Sequence, residues 1–105
     1  MDMDIDRLEK TAQRASALLK AMSNQHRLII LCQLVTGEKS VRELEKTIRL
    51  SQSALSQHLA VLRKDHLVDT RRDSQTIFYS LAGEEATALI KTLYGLYCPS
   101  PSTPP

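Results

Sequence analysis

Residues 50–63 read Leu50-Ser51-Gln52-Ser53-Ala54-Leu55-Ser56-Gln57-His58-Leu59-Ala60-Val61-Leu62-Arg63, and two β-rich segments, Leu67–Arg72 and Thr76–Leu81, follow directly. Ala54, Leu55, Leu59 and Leu62 recur at helical spacing and mark the inward face of a helix from Gln52 to about Asp65, capped by Ser51. The remaining positions, Gln52, Ser53, Ser56, Gln57, Ala60 and Arg63, are short, polar or basic. Serine side chains compete for the helix backbone, yet three serines fall within residues 51–56. A surface helix composed for stability alone would carry Glu and Lys there.

Upstream lies a second short helix, Val41 to about Ile48. Ser40 caps it, with Glu43 three residues on to complete a capping box. Arg49-Leu50 makes the turn between the two, so the pair forms a helix-turn-helix. Downstream the period changes: Leu67–Arg72 and Thr76–Leu81 are rich in Val, Thr, Ile, Phe and Tyr, and Asp73-Ser74-Gln75 separates them. This is the pattern of a β-hairpin, although its tip lacks Asn-Gly or Asp-Gly. A hairpin directly after a helix-turn-helix is a wing.

Three further helices complete the expected order ααααββα, a mainly α winged helix-turn-helix. The first carries Ile5, Leu8, Ala12, Ala15, Leu19 and Met22 on one stripe, starts at a cap on Asp4 or Asp6, and ends near Ser23-Asn24. The second runs from Asn24 to Thr36 and stops at Gly37; its stretch Leu28–Val35 is apolar almost all round, as in a helix buried on several sides. The last spans about Glu84 to Tyr97, with Ala86, Leu89, Ile90, Leu93, Tyr94 and Tyr97 on a broad apolar stripe. One domain, residues 1–98, is expected, followed by a Pro-rich disordered tail at 99–105.

A chain of 105 residues with 42% hydrophobic and 25% charged residues has the balance of one ordinary soluble domain. Its net charge is only +2, but the charge is unevenly placed. Asp2, Asp4, Asp6 and Glu9 crowd the first ten residues, whereas Arg49, Arg63, Lys64, Arg71 and Arg72 stand against Asp65 and Asp69 in the middle. A basic middle suits a face offered to phosphates; chance clustering on a solvated surface is the other reading. No membrane span and no signal-peptide core are evident, so a cytoplasmic location is expected.

The helix-turn-helix supplies the chemistry. A helix of this shape fits the major groove, where Gln pairs bidentately with adenine, Ser reaches bases or phosphates, and Ala touches a thymine methyl. Its first turn is free of acids that would repel phosphate, and helix N-termini favour anions. On the wing, strand alternation sends Arg71 and Arg72 to opposite faces, so one is expected at phosphate or the minor groove while the other braces the sheet. Periodicity leaves open which does which.

Taken together, Leu50–Arg63, Leu67-Val68, the hairpin to Tyr79-Ser80, and Leu18-Leu19-Lys20-Ala21-Met22-Ser23-Asn24 with Arg27-Leu28 resemble the ArsR/SmtB family of winged-helix transcription regulators over roughly residues 8–98. The resemblance implies a homodimer built from the first and last helices, whose apolar stripes have too few partners inside one small subunit. It also implies double-stranded DNA with an inverted-repeat operator as partner. The DNA contacts it implies are Gln52, Ser53, Ser56 and Gln57, with Arg71, Arg72 and Gln75 in the wing.

Many members of that family sense metals. The helix Val41–Ile48 holds no Cys or His, the last helix holds no His, and His26, His58 and His66 do not pair at i+3 or i+4. No metal and no cofactor are therefore expected. Cys32 and Cys98, set in Leu31-Cys32 and Leu96-Tyr97-Cys98, resemble the persulfide-sensing branch of the family, the HlyU, SqrR and BigR type. That likeness implies that both thiols are redox-sensing residues, joined by a disulfide or longer polysulfide bridge within one subunit. Read from its own surroundings, Cys32 also fits a small buried hydrophobe. An enzyme of thiol chemistry is disfavoured, because the chain has no Cys-x-x-Cys and only three glycines, with no Gly-rich phosphate loop. A dimeric interaction module that does not read bases is a third class, marked by salt-independent DNA association or none.

Overall fold

The computed structural model describes residues 4–97. Cys98 and the Pro-rich tail therefore lie outside the described residues.

Helix α1 spans Ile5–Met22. Asp4 is its cap, accepting from the Arg7 backbone N–H at 2.8 Å. Of its apolar stripe Met22 is buried, while Ile5, Leu8 and Leu19 stay 64%, 47% and 54% exposed. The physical reason is placement: Leu18, Ala21 and Met22, at the C-terminal end, are the α1 residues that pack on the core.

Helix α2 covers Gln25–Gln33, and Leu34–Thr36 tightens into a 3-10 turn that closes at Gly37. The sequence implies one helix to Thr36; the structure replaces its last turn with the narrower form, which pairs the Gly37 N–H with the Leu34 carbonyl at 3.2 Å. Asn24 caps the start by accepting from the His26 and Arg27 N–H groups. Ile30, Leu31 and Leu34 are buried, Leu28, Cys32 and Val35 are half-buried, and Ile29 lies open.

Strand β1, Lys39–Ser40, is an element the sequence pattern does not show, since two residues have no period. Helix α3, Val41–Thr47, begins with the expected capping box: Glu43 N–H donates to Ser40 Oγ at 3.1 Å, and Ser40 N–H donates to Glu43 Oε1 at 3.0 Å. Helix α4, Gln52–Lys64, is capped by Ser51 Oγ, which accepts from the Ala54 N–H. It ends in a Schellman turn. His66 takes a left-handed φ of 60°, its N–H donates to the Arg63 carbonyl, and the Leu67 N–H donates to the Leu62 carbonyl. His66 is thus a cap residue, and Leu67 belongs to the turn rather than to the strand.

Strands β2, Val68–Asp73, and β3, Thr76–Leu81, form the hairpin, and β1 adds to β3 to give the antiparallel order β1-β3-β2. Asp73 pairs with Thr76, so the tip is the two residues Ser74-Gln75 rather than three. So tight a turn needs positive φ, and Ser74 supplies it at 58°. Helix α5, Glu84–Tyr97, has the expected bounds. Ala86 and Ile90 are buried, whereas Leu96 and Tyr97 are 71% and 80% exposed. One core, centred on Ile30, Leu31, Leu44, Leu55, Leu59 and Leu62, holds α2, α3 and α4 together and is closed by Val68 and Ile90.

Candidate nucleic-acid interface

Leu55, Leu59 and Leu62 are each at most 1% exposed, which fixes the rotation of α4 about its axis. With those three turned inward, Gln52, Ser53, Ser56, Gln57, Ala60 and Arg63 are all exposed. The helix begins without an acid in its first turn and ends with Arg63 and Lys64. Its N-terminal partial positive charge is therefore available to an anion, and its outer row carries groups that match base edges. An open groove of about 450 Å³ runs between α4 and the sheet, lined by Val41, Ser56, Ala60, Arg63, Lys64 and Tyr79 among others. It connects the outer face of α4 with the sheet that carries the wing.

The wing arginines have different surroundings. Arg71 Nε and Nη2 each donate to a Glu38 carboxylate oxygen at 2.8 Å, a two-pronged ion pair. The same guanidinium lies over the Phe78 ring, 4.5 Å from its centroid, and 4.0 Å from Asp73 Oδ2. The hydrogen bonds to Glu38 raise the Arg71 pKa, so it remains a cation. Arg71 is the brace of the pair. Arg72 is exposed and, among the described residues, enters no ion pair. Gln75 is exposed at the tip. No sequence signal exposed the part played by Glu38, which lies 33 residues from its partner.

The three histidines do not act alike. His26 and His58 meet across α2 and α4, with ring centroids 5.7 Å apart. Sequence spacing hid this contact because it is between helices rather than along one. Arg27 Nε donates to His58 Nδ1 at 3.4 Å, and Arg27 Nη1 donates to the Ala21 carbonyl at 3.2 Å. Burial, then the charges of Arg27 and His26, hold the His58 pKa below the ordinary histidine value. Among the described residues no group of three or more His, Cys, Asp or Glu side chains is placed to hold a metal ion. Cys32 is half-buried on α2, in the wall of an open depression with Ser23, Asn24, Leu28, Ile29 and Gln33. Cys98 lies outside the described residues.

A polar, acid-free recognition helix beside a hairpin wing defines a winged-helix DNA-binding regulator of transcription rather than an enzyme. The family described as "Bacterial regulatory protein, arsR family" matches residues 24–70, which run from the cap of α2 into β2. The chain belongs to this arsR family. The transcriptional activator HlyU of Vibrio cholerae is 53% identical over 96 residues, covering 91% of this chain and 89% of that protein. The biofilm growth-associated repressor of Agrobacterium fabrum is 42% identical, covering 92% of this chain and 83% of the repressor. The solved structure of reduced HlyU from Vibrio cholerae superposes with a TM-score of 0.86 at 53% identity, covering 90% of this chain and all (100%) of that one.

Proposed function

We propose that the chain is a cytoplasmic homodimer that binds an inverted-repeat operator, and that linking Cys32 to Cys98 by reactive sulfur species or oxidants changes its affinity for that operator. In each half-site Gln52, Ser53, Ser56 and Gln57 face the major groove, and Arg72 and Gln75 contact the flanking backbone or minor groove. Arg71 supports the wing.

The observation that carries the dimer is the apolar surface left open on two elements at once: Ile5, Leu8 and Leu19 on α1, and Leu96 and Tyr97 on α5. Exposed apolar residues on α1 and α5 together are what a paired helical interface covers. A two-fold dimer presents two copies of α4, which matches an operator with two-fold symmetry.

Sensing draws on placement and chemistry. Cys32 sits on α2, α2 packs directly against α5, and Cys98 follows the last residue of α5 in sequence. A thiolate attacks the sulfane sulfur of a persulfide, RS–SH, releasing RSH and leaving Cys–S–SH. Two such groups condense to Cys–S–S–S–Cys and release hydrogen sulfide, so the thiols are oxidised by two electrons while one sulfane sulfur leaves as sulfide. Peroxide instead takes a thiol to sulfenic acid, which condenses with the second thiol to a disulfide and water. A solved structure of HlyU from Vibrio cholerae is of its reduced form, which supports a redox reading for this chain. One similar protein is an activator and another a repressor, so this fold does not by itself fix the sign of regulation.

The test is the intact mass of the reduced protein before and after a persulfide donor, and separately after peroxide, with peptide mapping. Added sulfur bridging Cys32 and Cys98, absent after peroxide, is expected. Two unmodified thiols after both treatments overturn the sensing reading and leave the DNA-binding dimer standing.

A further inference from the structure

Ser40, Phe78 and Arg71 lie in one row across the sheet, because β1 pairs Ser40 with Phe78 and β2 pairs Arg71 with Phe78. Directly cross-strand residues share a face, so Arg71 extends over the Phe78 ring on the central strand. Beyond it the guanidinium meets Glu38, one residue before β1. A single side chain therefore ties together all three strands. Its Nε–Nη2 edge is occupied by one carboxylate, and Asp73 Oδ2 stands 4.0 Å from the remaining Nη1. Two acids surround one base, so this face of the wing offers no surplus positive charge to DNA. The next residue, Arg72, is sent to the opposite face by strand alternation.

We propose that Glu38 is a residue that limits sequence-independent DNA affinity: it withholds Arg71 from phosphate and pins the wing to β1, so that the wing contributes one cation, Arg72, rather than two. This inference rests on the DNA-binding reading. Every phosphate neutralised strengthens binding to all sequences alike and leaves the ratio between sites unchanged, so a withheld cation lowers the sequence-independent affinity alone. A cation held by an internal partner over an aromatic ring keeps the wing rigid without adding to that sequence-independent attraction. Occupied in this way, Arg71 contributes nothing to counterion release.

The experiment measures Kd for a random-sequence duplex against salt concentration, using the full chain and its Arg71→Ala, Glu38→Gln and Glu38→Gln/Arg71→Ala variants, with far-UV circular dichroism as a check of folding. Glu38 is on the surface and Gln has its shape, so the fold is retained. The double variant Glu38→Gln/Asp73→Asn removes the second acid should Asp73 capture the released guanidinium. The full chain and Arg71→Ala are expected to share one slope of log Kd against log salt. Releasing Arg71 steepens that slope by about 0.9 per subunit and tightens random-duplex binding, and Arg71→Ala in the same background reverses both. A shallower slope for Arg71→Ala alone means that Arg71 already contacts phosphate and overturns the proposal. So does an unchanged slope when both acids are removed, or a gain that persists without Arg71, which would be simple loss of negative charge. Failure of the unaltered chain to bind any duplex rejects the DNA-binding reading itself, and this proposal with it.

Discussion

Arg27 on α2 donates from Nε to His58 Nδ1 on α4 at 3.4 Å, while its Nη1 reaches the Ala21 carbonyl at the end of α1. One guanidinium thus ties the end of α1 to the recognition helix. His58 accepts this hydrogen bond only when neutral, and its burial beside Arg27 and His26 penalises a proton there. Its pKa in the fold is therefore lower than the 6.5 of an ordinary histidine. The unfolded chain binds the proton more tightly, so this contribution to stability is complete above pH 6.5 and is lost as pH falls through the folded-state pKa. Thermal midpoints of the protein and of His58→Gln, measured from pH 8 downward, are expected to separate. The parent loses more stability below the ordinary histidine pKa, while Gln, which still accepts but does not titrate, flattens that part of the profile. Parallel curves would place the proton elsewhere.

Arg27→Ala removes the donor to both partners. Net hydrogen-bond contributions of about 1 kcal/mol each predict a loss of roughly 1–2 kcal/mol in urea unfolding. Arg27→Lys recovers little of it, since an ammonium does not serve two acceptors with a planar fork.

The capping box at α3 gives a third stability prediction. Ser40→Ala leaves the Glu43 N–H without its acceptor, at a cost of about 1 kcal/mol. For a domain of this size that is a fall in Tm of roughly 4–8 °C. Ser40 is 7% exposed, so water replaces the lost acceptor poorly. A change near zero would show that α3 is held by Leu44 packing alone.

On the DNA face, two substitutions separate positioning from reading. Arg72→Ala is expected to weaken binding equally to operator and random duplex and to reduce the salt slope by about 0.9 per subunit. Gln57→Ala is expected to leave the slope intact and to reduce discrimination at one operator base pair by about 1–3 kcal/mol. Competition titrations with point-substituted duplexes distinguish the two behaviours; the reverse assignment would move the wing out of contact with the backbone.

The proposed dimer is tested at Leu19, which is 54% exposed in the single chain. Leu19→Asp costs the isolated subunit little, because the side chain leaves no cavity there. It is expected to shift sedimentation from dimer to monomer and to weaken operator binding. Leu62→Ala is the contrast: a residue at 0% exposure costs about 2–5 kcal/mol on truncation.

Much of this molecule was legible along the chain. The bounds of α1, α4 and α5, the capping box at Ser40 and Glu43, and the outward row of α4 follow from periodicity and cap chemistry, which depend on residues three or four apart. The short strand β1 was not legible, because two residues carry no period and form a strand only where β3 lies beside them. The tip of the hairpin was narrower than its composition suggested, since Ser74 adopts a φ that turns usually reserve for Gly or Asn. Local order alone set α1, α4 and α5, the capping box, the polar face of α4 and the uneven charge. Tertiary structure alone decided that Arg71 rather than Arg72 is the brace, that Glu38 holds it, and that Arg27 joins His58. Each of those contacts spans about thirty residues of chain, and such pairs are chosen by the packing of whole elements, which no local pattern encodes.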